Sequence, residues 1–158
     1  MFILTKDLAI VADAAAAWTG YERYLLSLKD RLPSETYEFA IADWHYDPRD
    51  HRCPHDAWVE NFELAEISSG PRSEIRSLQL TVTLLGAYHD GNIKIEYRDV
   101  ASCNVATKGG KHGDWLYDEV RISDCGLVIH EVELQNSHWM IECKSIEYRW
   151  LPFVPGSR

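Results

Sequence analysis

The chain has no run of lysine or arginine, no CxxC pair, no repeat and no low-complexity stretch. Each absence removes something. Nucleic-acid binding needs a concentrated basic face, whereas here Asp plus Glu outnumber Lys plus Arg by 25 to 16 and the formal net charge is −9. A basic protein is the partner that this charge balance suits, or the charge serves solubility alone. The four cysteines, Cys53, Cys103, Cys125 and Cys143, lie far apart, which fits reduced thiols in a cytoplasmic protein better than a disulfide framework. The start, MFILTKDLAIVADAAAAW, is apolar but lacks a basic n-region and is interrupted by Lys6, Asp7 and Asp13, so no signal peptide is read. Membrane spanning is not expected either. GxSxG, Walker, HExxH, EF-hand and post-strand GxGxxG patterns are all missing, and no cofactor is expected. Lys108-Gly109-Gly110-Lys111 is glycine-rich and basic, but it lacks the Ser/Thr and the strand-to-helix setting of a phosphate cradle.

What is present is an ordinary globular composition. The 158 residues are 46% hydrophobic and 26% charged, enough for one domain that buries about two-thirds of its unfolded surface. Six Trp and eight Tyr serve core and sheet packing or a stacking surface. Asp13 reads as the N-cap of a helix running to about Leu32, with Ala14, Trp18, Tyr21, Leu25, Leu28 and Leu32 at helical spacing. Gly20 inside it suggests a bend or a close approach. Thr36 to Trp44 alternates through Tyr37, Phe39 and Ile41 and predicts a strand, and Trp58 to Ile67 predicts another.

The centre of the chain reads as a hairpin, Ile75 to Leu85 and Ile93 to Cys103, turning at Asp90-Gly91. That turn would set Leu84 opposite Tyr97 and Leu80 opposite Ala101. Leu80, Val82, Leu84, Ile93, Ile95 and Tyr97 would then be buried together, with Gln79, Thr81, Thr83, Lys94, Glu96 and Arg98 on the wet face. Asp99 would be turned outward by a bulge before Val100. A meander follows, Trp115 to Ile122, Leu127 to Leu134 and Trp139 to Trp150, with turns at Asp124-Cys125-Gly126 and Asn136-Ser137 and a bulge near Lys144-Ser145. The expected fold is α+β: an N-terminal helix packed on a mostly antiparallel, curved sheet of about seven strands, as a half-barrel or a sandwich.

Three groups of residues could carry chemistry or binding. His51, Cys53 and His55, in the turn-rich loop HYDPRDHRCPHD, are spaced to point one way on an extended segment and would suit zinc, although a second clasp is missing, so the loop reads as solvated and no tightly bound zinc is expected. Glu131 and Glu142 would face each other across two strands as a carboxylate pair, or be neutralised by Lys144 or Arg121. His130 opposite Cys143 reads as a core histidine beside an inert thiol rather than a nucleophile and its base. For a partner, the stretch Trp44 to Trp58 offers Asp47, Asp50 and Asp56 as acidic contacts and its Tyr and Trp, with Trp44 and Trp58 at its ends, as anchors, or the aspartates merely cap turns.

His55-Asp56 opening a strand, the strand IKIEYRDV, His130-Glu131-Val132 and the closing Ile146-Glu147-Tyr148-Arg149-Trp150 resemble the small antiparallel bacterial proteins that include immunity proteins of polymorphic-toxin systems. The resemblance spans about residues 55 to 150. It implies a non-enzymatic, cytoplasmic, acidic binder that neutralises a toxin, and it carries over no functional residue. The alternative is a small-molecule-binding module or hydrolase with a carboxylate/His site at the sheet mouth.

Overall fold

The computed structural model describes residues 14–154 and 156. Among these residues two helices precede eight strands: α1 (Ala14–Ser27), α2 (Ser34–Ile41), β1 (Trp58–Ser69), β2 (Ile75–Leu85), β3 (Gly91–Arg98), β4 (Ser102–Thr107), β5 (Trp115–Ile122), β6 (Val128–Leu134), β7 (Ser137–Cys143) and β8 (Ser145–Pro152). The class is α+β and antiparallel throughout. The strands form two four-stranded sheets, β1-β2-β3-β8 and β4-β7-β6-β5, rather than one curved sheet, and neither closes. Their inner faces share one core with the helices, for example where Phe62 of β1 meets Trp139 of β7 with ring centroids 5.2 Å apart.

The segment read as a strand at Thr36 to Trp44 is α2. Its alternation is real but short, and Thr36, Phe39 and Ala40 are the residues it buries, at i, i+3 and i+4, while Ile41 is exposed. Pro33 stands at its start and Glu35 lies in its first turn, where a carboxylate suits the helix dipole. In α1, Tyr21 and Leu25 are buried as the spacing predicts, Trp18 only partly so, and Ala17 joins them in the core. The regular helix ends at Ser27, but turns carry Leu28 and Leu32 into the same core. The proposed cap Asp13 lies outside the described residues. Gly20 marks no close approach, since a Cβ there would meet nothing within 4 Å.

The central hairpin buries the six predicted residues, all with no exposed surface. Its register differs. Leu84 faces Ile93, Val82 faces Ile95 and Leu80 faces Tyr97, because the turn is the longer Gly86–Gly91 loop, closed by Gly86 N–H donating to the Gly91 carbonyl at 3.0 Å. The slip is even, so every side chain keeps its face. His89, not Asp90, takes the positive φ of 57°. Gly91 is needed for another reason: a Cβ there would stand 2.5 Å from the Trp150 ring.

What looked like long strands with bulges are chains passing from one sheet to the other. After β3, Asp99 turns exposed at φ 49° and the chain re-enters the second sheet as β4; β7 becomes β8 at Lys144 beside it. Lys144 N–H donates to the Arg98 carbonyl and Ala101 N–H to that of Glu142, holding the two crossings together. The meander also slips. Gln135-Asn136 forms its second turn, so His130 faces Ile141 rather than Cys143, and Glu131 faces Met140 rather than Glu142.

The helices close two of the sheet edges. The Tyr21 hydroxyl accepts the Val120 N–H at 2.9 Å and the Tyr24 hydroxyl that of Ile122 at 3.1 Å, along β5. Thr36 Oγ1 accepts the Ile146 N–H at 2.8 Å and donates to its carbonyl at 3.2 Å, along β8. Ladder groups that would otherwise template another strand are thereby satisfied.

Candidate functional site

The densest chemistry in the molecule is buried, and the sequence reading did not assemble it. A bulge between Trp115 and Tyr117 shifts the phase of β5 and turns Asp118 inward. Its Oδ2 accepts from His45 Nε2 at 2.8 Å and His130 Nε2 at 2.9 Å, and its Oδ1 accepts from Trp115 Nε1 at 3.0 Å. The chain of bonds continues outward. His45 Nδ1 lies 2.9 Å from the Phe39 carbonyl, and His130 Nδ1 lies 2.8 Å from the Tyr97 hydroxyl. Burial alone would push the Asp118 carboxyl up, but the His45 charge and the bonds from both histidines outweigh it and hold it well below the usual carboxylate range. With Asp118 ionised, the two nitrogens of His45 face two acceptors, that carboxylate and the Phe39 carbonyl. Burial also raises the Tyr97 hydroxyl well above its ordinary range. Every polar atom of the carboxylate and both imidazoles is committed, leaving no free nitrogen aimed at a substrate.

The zinc candidates are not brought together. Cys53 is buried with its thiol donating to the His45 carbonyl at 3.1 Å, and burial pushes that thiol up to about 11. His51 bonds Asp90 at 2.5 Å and stacks on Tyr88, while His55 pairs with Asp56 at 3.2 Å. Among the described residues, no group of three His, Cys, Asp or Glu is placed to hold a metal ion.

Glu131 and Glu142 do not form a pair. Glu131 stands across from Glu119 of β5, and Arg121 bridges these two carboxylates while His138 Nε2 reaches Glu131 at 2.8 Å. Like charges do oppose one another in this sheet, with a different partner and an arginine between them. Glu142 faces Ile129 and accepts from the Cys125 thiol at 3.5 Å.

The loop aspartates cap turns. Asp47 accepts from both the backbone and the side chain of Arg49, and Asp50 likewise from Arg52, which holds the Asp50 carboxyl down to about 2. Asp56 is exposed at φ 63°. Trp58 is exposed and donates to Asp114 at 2.7 Å. Trp44 is half-buried on Tyr148, ring centroids 4.4 Å apart, with the Arg52 guanidinium 5.5 Å from its centroid.

Two hollows meet beside α2, sharing Ala42. One is a groove of about 740 Å³ between α1, α2 and the following turn, lined by Trp18, Leu25, Leu26 and Ile41 among others. The other, about 260 Å³, has Phe39, Trp44 and Tyr148 as its floor and Glu35, Glu38 and Glu147 around it. Leu26 and Ile41 are exposed. Glu147 is taken by Arg98 and Arg149, but among the described residues Glu22, Glu35, Glu38 and Asp43 enter no ion pair. Reading this segment as a strand concealed the face, whereas a helical reading places Glu35 and Glu38 one turn apart, flanking the side that buries Thr36, Phe39 and Ala40. The chain matches no protein-family model and no curated protein.

Proposed function

We propose that this chain is a non-enzymatic binding domain for a basic protein, and that the α1–α2 face is where the partner docks. The observation that carries the reading is apolar surface in two hollows that share Ala42, Leu26 and Ile41 in one and the Trp44 ring in the other, lined by Glu22 and Asp43 and by Glu35 and Glu38, which among the described residues enter no ion pair. Interfaces of this kind combine aromatic anchors with a charged rim that steers approach. Trp44 already accepts a guanidinium from Arg52, so its surroundings suit the same group on a partner. The aromatic hollow is smaller than the roughly 300–1,000 Å³ usual for a small-molecule site, which favours a single long side chain as its occupant. The specific form of the proposal is an immunity-like inhibitor of a basic toxin in the bacterial cytoplasm, a setting that the four free thiols suit. Asp47 and Asp50, neutralised by their arginines, are secondary here to Glu35, Glu38 and Asp43.

The test is affinity capture from the native host with the wild-type chain and with a Glu35→Lys, Glu38→Lys, Asp43→Lys variant. A basic protein retained by the first and lost by the second is the expected result. No retained protein, or one held equally by both, overturns the proposal.

A further inference from the structure

A different surface is left unfinished at the opposite edge of the first sheet. The edges of β5 and β8 are closed by Tyr21, Tyr24 and Thr36, whereas β1 among the described residues pairs only with β2, apart from one bridge between Trp58 and Asp114. β1 is 12 residues long, twice the six of β4, the other bare edge. Its outer half projects, because β2 pairs with β3 only from Leu80 onward while its pairing with β1 continues out to Ile75. On this projecting ribbon Leu64, Ile67, Ile75 and Leu78 are all exposed. A long edge with apolar side chains is a template for another strand.

The charges say which strand. β1 carries Glu60, Glu63 and Glu66 and no basic residue. Glu60 is bonded to Asn92 and Glu66 to Arg76, and Glu63 is exposed. A second β1 laid against it would bring carboxylates to carboxylates, which disfavours self-pairing. Alternation puts Leu64 and Glu66 on one face of β1 and Glu63 and Ile67 on the other, so each face offers one apolar residue and one acid.

We propose that the β1 edge accepts an extended segment of another protein by strand addition, and that the segment presents a basic and an apolar side chain on each face. Main-chain hydrogen bonds supply the attachment and these side chains the selectivity. This surface is separate from the α1–α2 face and does not depend on it.

A synthetic peptide repeating Lys-Lys-Val-Val places one Lys and one Val on each face of a strand and serves as the probe, with Glu-Glu-Val-Val as its counterpart. Amide hydrogen exchange of the intact protein is followed with each. The basic peptide is expected to slow exchange along Val59–Ser69, the acidic peptide to leave it unchanged, and Glu63→Lys with Glu66→Lys to weaken binding about tenfold, while Glu35→Lys with Glu38→Lys leaves it unaltered. Equal protection by both peptides, protection elsewhere than β1, or no binding overturns the inference. A dimer of the protein alone whose β1 amides are protected overturns it too, since the edge would then belong to a second copy. Loss of binding in the Glu35/Glu38 variant would instead assign the peptide to the α1–α2 face, a failure distinct from that of the functional proposal.

Discussion

The Asp118 centre and the α1–α2 face are joined through Phe39 and His45, yet they use polar groups in opposite ways. In the centre one carboxylate takes three donors and each histidine nitrogen has a partner, so the cluster ties α2, β3, β5 and β6 together. On the face, Glu35, Glu38 and Asp43 stand exposed beside uncovered apolar surface and, among the described residues, enter no ion pair. Buried charges are kept because their partners are complete, and removing one partner strands the others. Carboxylates left open at the surface contribute little to stability and remain available to steer a partner. The polar groups of the centre are thus committed to holding the fold, and the proposed binding surface lies where the polar groups are unfinished.

The strongest way to break that contrast is at Asp118. Asp118→Asn should cost about 3–5 kcal/mol in urea unfolding, since it removes the buried carboxylate on which His45, His130 and Trp115 converge. The pH dependence has a definite sign. The folded carboxyl lies well below its unfolded value of about 3.9, so the unfolded chain takes up the proton first. Its stabilisation is present in full above about pH 4 and is lost as the pH falls from there toward the folded value. The wild type should lose stability over that acid window more steeply than Asp118→Asn, and equal slopes would refute the ionised buried carboxylate.

Leu84→Ala should cost about 2–5 kcal/mol, as expected for a fully buried leucine. A loss under about 0.5 kcal/mol would place the residue outside the core. Thr36→Val, which keeps the shape but strands the Ile146 N–H and carbonyl on β8, should cost about 1–3 kcal/mol. No change there would mean that water replaces the hydroxyl and that the edge is not closed by α2.

How far the sequence foretold these features follows from the kind of signal each one leaves. The six buried residues of the hairpin were legible because alternation survives an even slip, while the register was not, since Gly91 serves Trp150 rather than the turn. The sheet crossings at Asp99 and Lys144 read as bulges, because both interrupt alternation in the same way. α2 is eight residues long, short enough for period 2 and period 3.6 to fit alike. The centre was hidden by one bulge: without it β5 would turn Tyr117, not Asp118, toward His130. Asp47 and Asp50 each precede an arginine by two residues, a local signal from which their neutralisation could have been read.

Reversal at the surface should give the smallest effect on stability and the largest on binding. Glu38→Lys is expected to shift unfolding by no more than about 0.5 kcal/mol. The most direct measurement is the association rate of the purified protein with its captured partner across a range of salt, for the wild type and the Glu35→Lys, Glu38→Lys, Asp43→Lys variant. The account predicts a wild-type rate that falls steeply with salt while dissociation changes little, and a variant rate at least about tenfold lower at low salt with an unchanged melting transition. A variant that associates as fast as the wild type, or a wild-type rate indifferent to salt, would contradict it.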